Sequence, residues 1–291
     1  MEAKRNSCAP RTVDWYDRQC RAWVDWLAGT GNGDAWTTPA ALELHLSDLR
    51  ARGLSDNSIA ARHRAVRAFT NWMQRRGYIR PEHNPATQAE RPKIGVRRPR
   101  VADRGHVDQL IRAIPVADWT GYRDRALLQV LVSSGLRVSE ACNLRLSDVD
   151  MVERLLWVRE GKGNQERVCP FDDQLATLLT AYLFSRPSGS EYLFVAADGH
   201  RHPTAQRMSD NAVRQMIRRR ATAVGLAYVN PHSIRHLFAI ECLNRNVALS
   251  AVSAMMGHHS PSFTYRVYAK WLPDGLRREY AHRSQHGPDD L

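Results

Sequence analysis

Apolar residues in the first ninety positions recur at helical spacing. Trp15, Cys20, Trp23 and Trp26 sit among charged residues from Thr12 to Leu27, which predicts a helix with the tryptophans in its core face. Leu42, Leu46 and Leu49 share one face of a second helix from Pro39 to Arg52. Ile59, Val66, Phe69 and Met73 do the same from Ser58 to Arg76. Pro39 suits a first helical turn, Gly53 and Gly77 fall just past helix ends, and the Ser55–Ser58 run offers N-caps for the third helix.

Past residue 104 the pattern becomes mixed. Asp124 to Ser133 reads as a buried helix stopped at Gly135. Residues 155–159 and 165–170 read as strands joined through Gly161-Lys162-Gly163-Asn164, a turn that leaves Lys162 free to move. Helices are expected at 173–185, 209–223, 233–245 and 249–256, with 192–195 as a further strand. The expected fold is mainly α with a small antiparallel β-sheet. It divides into a helical N-terminal domain (1–88), a linker (89–104) and a larger α+β domain (105–291).

Composition narrows the class. The 291 residues are 43% hydrophobic, enough for two cored domains, and carry a net charge of +12, which points to a polyanionic partner. The sixteen linker residues hold 6 basic and 2 acidic side chains, a third of that excess. Their prolines exclude a long helix. The stretch reads either as a solvated connection or as a strap whose Lys93, Arg97, Arg98 and Arg100 cross a phosphate backbone. None of the five cysteines forms a Cys-x-x-Cys pair, so neither a disulfide framework nor a zinc site is expected. His200 and His202 are spaced like metal ligands, but nothing nearby completes a set, and they read as loop residues. Without a long apolar run or a leader-like start, the protein is expected to be soluble and cytoplasmic.

The chemistry lies in five short motifs: Gly135-Leu136-Arg137-Val138-Ser139-Glu140, the Lys162 turn, Pro231-His232-Ser233-Ile234-Arg235-His236, Met256-Gly257-His258-His259, and Thr264-Tyr265-Arg266-Val267-Tyr268. Paired arginines clamp non-bridging phosphate oxygens and neutralise charge in a pentavalent transition state. A tyrosine can attack phosphorus and stay attached. Only four of 42 basic residues are lysines. A chain so biased would use arginine wherever bare charge sufficed, so Lys162 between glycines reads as a proton donor to a leaving 5′-oxygen, with a phosphate contact in a glycine turn as the alternative. His232 and Arg235 share one face of a helix and can reach one phosphate, while His236 reads as a buried packing residue. Glu140, one turn past Arg137, can brace its guanidinium.

These motifs, in this order, resemble the tyrosine recombinases, the family of phage integrases and Xer-type resolvases. His258 precedes Tyr268 by ten residues and His259 by nine. The ten-residue spacing is that of many mobile-element integrases, and the nine-residue spacing that of Xer and lambda types. The Gly257-His258 pair favours His258, with His259 as the alternative; Tyr268 is favoured over Tyr265. The resemblance implies a clamp around double-stranded DNA, formed by a helical core-binding domain and a catalytic domain. Arg137, Lys162, His232, Arg235, His258 and Tyr268 would be catalytic and Glu140 supporting. Some of Arg62, Arg64, Arg67, Arg75 and Arg76 would meet DNA. The family further implies a 3′-phosphotyrosyl intermediate, no metal, no ATP or other cofactor, and a homotetramer on two specific sites. A tail containing Trp271, Leu272, Pro273 and Leu276 would dock on a neighbour, and accessory DNA-bending or directionality proteins are further partners. A type IB topoisomerase or telomere resolvase would share the chemistry, and a catalytically silent DNA-binding regulator is the non-enzymatic alternative.

Overall fold

The computed structural model describes residues 8, 10–31, 33–93, 100–159, 166–226, 228–258 and 260–268. Arg97, Arg98, Lys162, His259, Lys270 and the expected tail after Tyr268 lie outside these residues. The chain divides into two units, Met1–Arg97 and Arg98–Leu291.

Capping side chains mark out the first unit. α1 (Pro10–Gly29) is followed by α2 (Pro39–Ala51), which opens on Thr38, whose hydroxyl accepts from the Ala41 N–H. Ser55 caps α3 (Asp56–Arg75) through the Ser58 N–H. Each cap satisfies a helix-start donor that has no partner within the helix. Trp23, Leu27, Leu42, Leu46, Leu49, Ile59 and Val66 form the core, and Trp26 packs against it while donating to Asp48 Oδ2 at 3.0 Å. A short α4 (Pro85–Gln88), not expected from periodicity, is anchored by buried Asn84. Asn84 donates to Asn71 Oδ1 at 2.9 Å and to Gln74 Oε1 at 2.7 Å. Ala89, inside the expected linker, belongs to this core.

The second unit opens with α5 (Arg104–Ala113), capped by Asp103, so the expected linker runs directly into a helix. α6 (Trp119–Ser134) is buried on nearly every face and packs chiefly on α8 (Asp173–Ser185) and on α10 (Pro231–Asn244). α7 (Val138–Asn143) follows α6 at once. A three-stranded antiparallel sheet lies in the order β1 (Val149–Asp150), β2 (Leu155–Val158), β3 (Arg167–Pro170). Its register places buried Leu156 opposite buried Cys169 and Val158 opposite Arg167. Instead of one further strand there is a separate pair, β4 (Val195–Ala197) with β5 (Pro203–Arg207). β5 was not foreseen because Pro-Thr-Ala-Gln-Arg has no apolar alternation to read. α9 (Asp210–Ala223), α11 (Leu249–Met256) and α12 (Pro261–Tyr268) complete the unit.

Candidate active site

Two helix ends meet at the site. α6 stops at Gly135, whose φ of 60° is left-handed and whose missing side chain leaves room for Phe238; a Cβ there would lie 2.2 Å from the Phe238 ring. The chain turns straight into Arg137, the N-cap of α7. α11 stops at Gly257, again at φ 60°, one residue before His258. The last carbonyls of a helix have no partner within it and carry the negative end of its dipole. Here arginines take them. Arg235 donates from Nη1 to Gly135 O at 2.6 Å and from Nη2 to Met256 O. Arg137 Nη2 donates to Gly257 O at 2.9 Å, and Arg167 Nε to Met255 O at 2.8 Å.

Glu140 sits at the centre of these groups. Oε1 accepts from Arg137 Nη1 at 2.6 Å and Arg167 Nη1 at 3.2 Å; Oε2 accepts from the Arg137 backbone N–H at 2.8 Å and Arg167 Nη2 at 2.6 Å. Arg235 Nη1 lies 4.0 Å from Oε2. Burial alone would push the Glu140 carboxyl up, but the Arg167 fork, then the hydrogen bonds from Arg137, hold it below its ordinary value. Arg235 is 4% exposed, and burial, then Arg137, pulls it down to about 10, so it stays charged at neutral pH. Among the described residues no other carboxylate pairs with these three arginines. Three guanidiniums against one carboxylate leave positive charge that only an anion can offset.

His258 shares a 2.6 Å hydrogen bond from Nδ1 with the buried Thr264 hydroxyl and meets Phe263 edge-on. Burial, then Arg235 and Arg137, pushes it down to about 4, so the ring is neutral near pH 7. With the Thr264 hydroxyl donating to Nδ1, Nε2 keeps the proton and can donate to a phosphate oxygen. Tyr268, 1% exposed, shares a 2.5 Å hydrogen bond with His236 Nδ1. Burial raises the phenol pKa, against the lowering effect of Arg235, and pushes His236 down to about 4. Both partners are therefore neutral, and proton transfer from this phenol to this imidazole is uphill. The bond stores the phenol without activating it.

Arg137, Glu140, Arg235, His258 and Tyr268 are thus brought into one neighbourhood. His232 lies exposed on the first turn of α10, its ring centroid 4.3 Å from that of His236. Loss of water on its inner side, then Arg235, lowers its pKa. Tyr265 packs, half-buried, against the apolar cluster around Phe238 and Tyr268. Lys162 falls between β2 and β3, outside the described residues. Of the expected strap residues, Lys93 belongs to the first unit and pairs at 3.7 Å with Glu90, both fully in solvent. Arg100 lies 4.9 Å over the Tyr228 ring in the second. His200 and His202 stay in a loop beside Asp198, and no group of three metal-ligating side chains occurs among the described residues.

Three residues were not foreseen. Arg167 was read only as part of a strand, and its partner Glu140 is 27 residues away. His236 is buried as expected, but it is also the phenol's hydrogen-bond partner, which corrects its reading as mere packing. Thr264 gave one signal, its place one helical turn before Tyr268.

A model of the phage integrase family matches residues 101–273. Tyrosine recombinase XerC of Oceanobacillus iheyensis is 30% identical over 290 residues, covering 96% of this chain and 92% of that protein. Tyrosine recombinase XerA of Thermococcus kodakarensis is 33% identical over 272 residues, covering 93% and 88%. In fold, the chain is similar to the integrase of transposon Tn1549, solved in complex with transposon right end DNA, with a TM-score of 0.75 at 17% identity over 97% and 96% of the two chains. A lambda integrase dimer bound to a core site gives 0.68 at 18% identity over 90% and 92%.

Proposed function

Because the chain belongs to the phage integrase family, we propose that it is a site-specific DNA recombinase that cuts and rejoins strands through a 3′-phosphotyrosyl intermediate. The observation that carries this reading is the excess of buried positive charge around Glu140, next to a tyrosine. An uncompensated buried charge is costly unless a counter-charge arrives, and a scissile phosphate is such a counter-charge. Arg137 and Arg235 bind its non-bridging oxygens, with His258 donating one further hydrogen bond and Glu140 bracing Arg137.

In the chemical step the Tyr268 oxygen attacks phosphorus and the bond to the 5′-oxygen breaks. The leaving oxygen takes a proton from Lys162, and His232 assists removal of the phenol proton. A 5′-hydroxyl of the partner duplex then attacks the phosphotyrosine and frees the enzyme. The phosphodiester energy is conserved in that bond, so the scheme calls for neither ATP nor a metal. Since the phenol is stored on His236, α12 must shift for attack to occur. The two exchanges take place in a homotetramer on two double-stranded sites, with the residues after Tyr268 docking on a neighbour and Lys93, Arg97, Arg98 and Arg100 strapping the phosphate backbone. Such a protein acts in the cytoplasm on a chromosome or a mobile element. None of the described helices is long and apolar enough to cross a membrane.

Covalent capture on a nicked suicide substrate tests the reading. Wild-type protein should become attached to DNA, Tyr268→Phe should lose attachment while binding within a few fold, and Tyr265→Phe should remain active. Binding without any attachment by wild type would make this a silent DNA-binding regulator. Relaxation of supercoiled plasmid with no site preference would make it topoisomerase-like.

A further inference from the structure

Arg167 stands apart from the other arginines of the cluster. All three of its nitrogens are engaged inward: Nη1 and Nη2 on the two oxygens of Glu140, and Nε on Met255 O. Its side chain is 10% exposed and every one of its nitrogens is committed within the protein, whereas Arg137 is nearly three times as exposed. Its guanidinium also lies flat against Gly257: a Cβ at that position would fall 2.9 Å from Nη1 and 3.0 Å from Cζ. One planar group on β3 therefore touches both halves of the site, the Arg137–Glu140 helix start and the turn that delivers His258.

From this geometry we infer that Arg167 is a positioning residue for strand cleavage: it orients Glu140, and hence Arg137, and sets the Gly257–His258 turn, so that both sides of the site address the same phosphate. Glu140 held by one arginine can swing to follow it; held by the bidentate fork of a second, it becomes a fixed anvil. Arg167 also fills the carboxylate lone pairs that Arg137 leaves open, so Arg235, 4.0 Å from Oε2, is not drawn further onto Glu140. Lysine cannot replace it, because a single ammonium cannot meet two carboxylate oxygens in one plane and a helix-end carbonyl oxygen at once.

The proposal rests on the cleavage reading above, and the two fail differently. If wild type forms no covalent DNA adduct, that reading falls first. If it does, single-turnover cleavage by Arg167→Met and Arg167→Lys is measured on saturating suicide DNA, with affinity and thermal melting recorded for each. The expected result is a cleavage rate at least 30-fold lower for Arg167→Met and at least 10-fold lower for Arg167→Lys, with DNA affinity within about threefold. Two further readouts separate positioning from stability. In a Glu140→Gln background the loss from Arg167→Met should shrink at least threefold, because one of the two groups it acts through is already gone. On a substrate with a methylphosphonate at the scissile position, which lacks the negative charge, the Arg167→Met loss should shrink to a few fold. The proposal is overturned if folded, DNA-bound Arg167→Met cleaves within threefold of wild type, or if its loss is undiminished both with Glu140→Gln and with methylphosphonate. Should Arg167→Met fail to fold, Arg167→Lys decides: cleavage within threefold of wild type overturns the proposal, and a tenfold or greater loss at unchanged melting temperature supports it.

Discussion

Both units pair exposed arginines with carboxylates, but the second also holds arginines in a way the first does not. In the first, none of the arginines whose surroundings are described is buried; Arg21, Arg52 and Arg50 pair with Asp17, Asp48 and Asp56, and Arg18 and Arg62 reach only carbonyls one turn back on their own helices. In the second, Arg235 and Arg123 are buried and Arg167 nearly so, and each donates to backbone carbonyls as well as lying near a carboxylate. The difference lies in what the backbone offers. Helices of the first unit close their last carbonyls on the backbone N–H groups that follow, Leu54 N on Leu49 O and Tyr78 N on Met73 O. In the second unit α6 and α11 end facing each other, and their unpaired carbonyls form a nest of acceptors that only a multi-donor cation can fill. A surface arginine is interchangeable with other charges. One held by two helix ends is not.

That contrast is tested most severely by Arg235→Ala. It removes a charge aimed at the phosphate and strands Gly135 O and Met256 O, acceptors that cost about 1–3 kcal/mol each when buried without a donor. Cleavage should fall by roughly a thousandfold or more, the scale for losing a preorganised charge-stabilising donor, and the melting temperature should drop as well. Arg52→Ala, exposed in the first unit and paired only with Asp48 across one turn, should leave cleavage unchanged and melting nearly so in the same assays. Equal losses from the two substitutions would erase the comparison.

A second test asks whether the second unit's basic residues are specialised by chemistry as well as by burial. Lys162→Arg keeps the charge and loses the transferable proton, so cleavage should fall about a hundredfold, the lower range for general-acid catalysis. Replacing the scissile 5′-oxygen by sulfur removes the need for a proton. On that substrate Lys162→Ala should recover substantially and Arg235→Ala should not. No recovery would leave Lys162 as an ordinary phosphate ligand.

How much of this was legible beforehand follows the range of the forces involved. α8 and α11 begin and end where the sequence pattern places them, because caps and apolar periodicity act over a few residues: Asp172, for one, caps α8 through the Leu175 N–H. Arg137, Arg235, His258 and Tyr268, which the structure brings into one neighbourhood, were singled out by short motifs whose order and spacing resemble the family's. What stayed hidden is long-range. The Arg167–Glu140 fork spans 27 positions and the His236–Tyr268 bond spans 32, and no local pattern encodes either. The β4–β5 pair stayed unread for a different reason, its second strand being polar and exposed along most of its length.

Acid should bear on both units through histidine. His45 in the first unit and His236 in the second are both buried and pushed down to about 4, by burial before any charge. His45 also has a buried Nδ1 without a hydrogen-bond partner. A histidine whose folded pKa lies below its ordinary 6.5 binds protons more readily when unfolded. Its stabilising contribution is therefore complete above about pH 6.5 and is lost as pH falls towards 4, up to about 3 kcal/mol for each. Calorimetry between pH 7 and 4.5 should show melting fall in both units. His45→Leu should flatten the fall only in the transition of the first. A bound scissile phosphate favours the charged form of nearby His258, so DNA should blunt the acid loss of the second unit. An acid response that His45→Leu leaves untouched would assign the effect to carboxylates instead.

The smallest effect is expected where the comparison predicts almost none. Arg21 and Asp17 meet at 2.7 Å, one helical turn apart on α1, and the arginine side chain is 74% exposed. Its short distance gives it the look of a strong interaction. Water and salt screen such a pair, and ordering two long side chains costs entropy, so exposed pairs of this kind add little to stability. Arg21→Gln should therefore shift melting by about a degree or two in a unit this size, and covalent capture on DNA should be unchanged. Raising salt to 0.5 M should erase even that difference, because the Debye length then falls to roughly 4 Å. A loss of several degrees that persists in high salt would mean that arginines of the first unit are held as firmly as those around Glu140, and the distinction between the two units would fail.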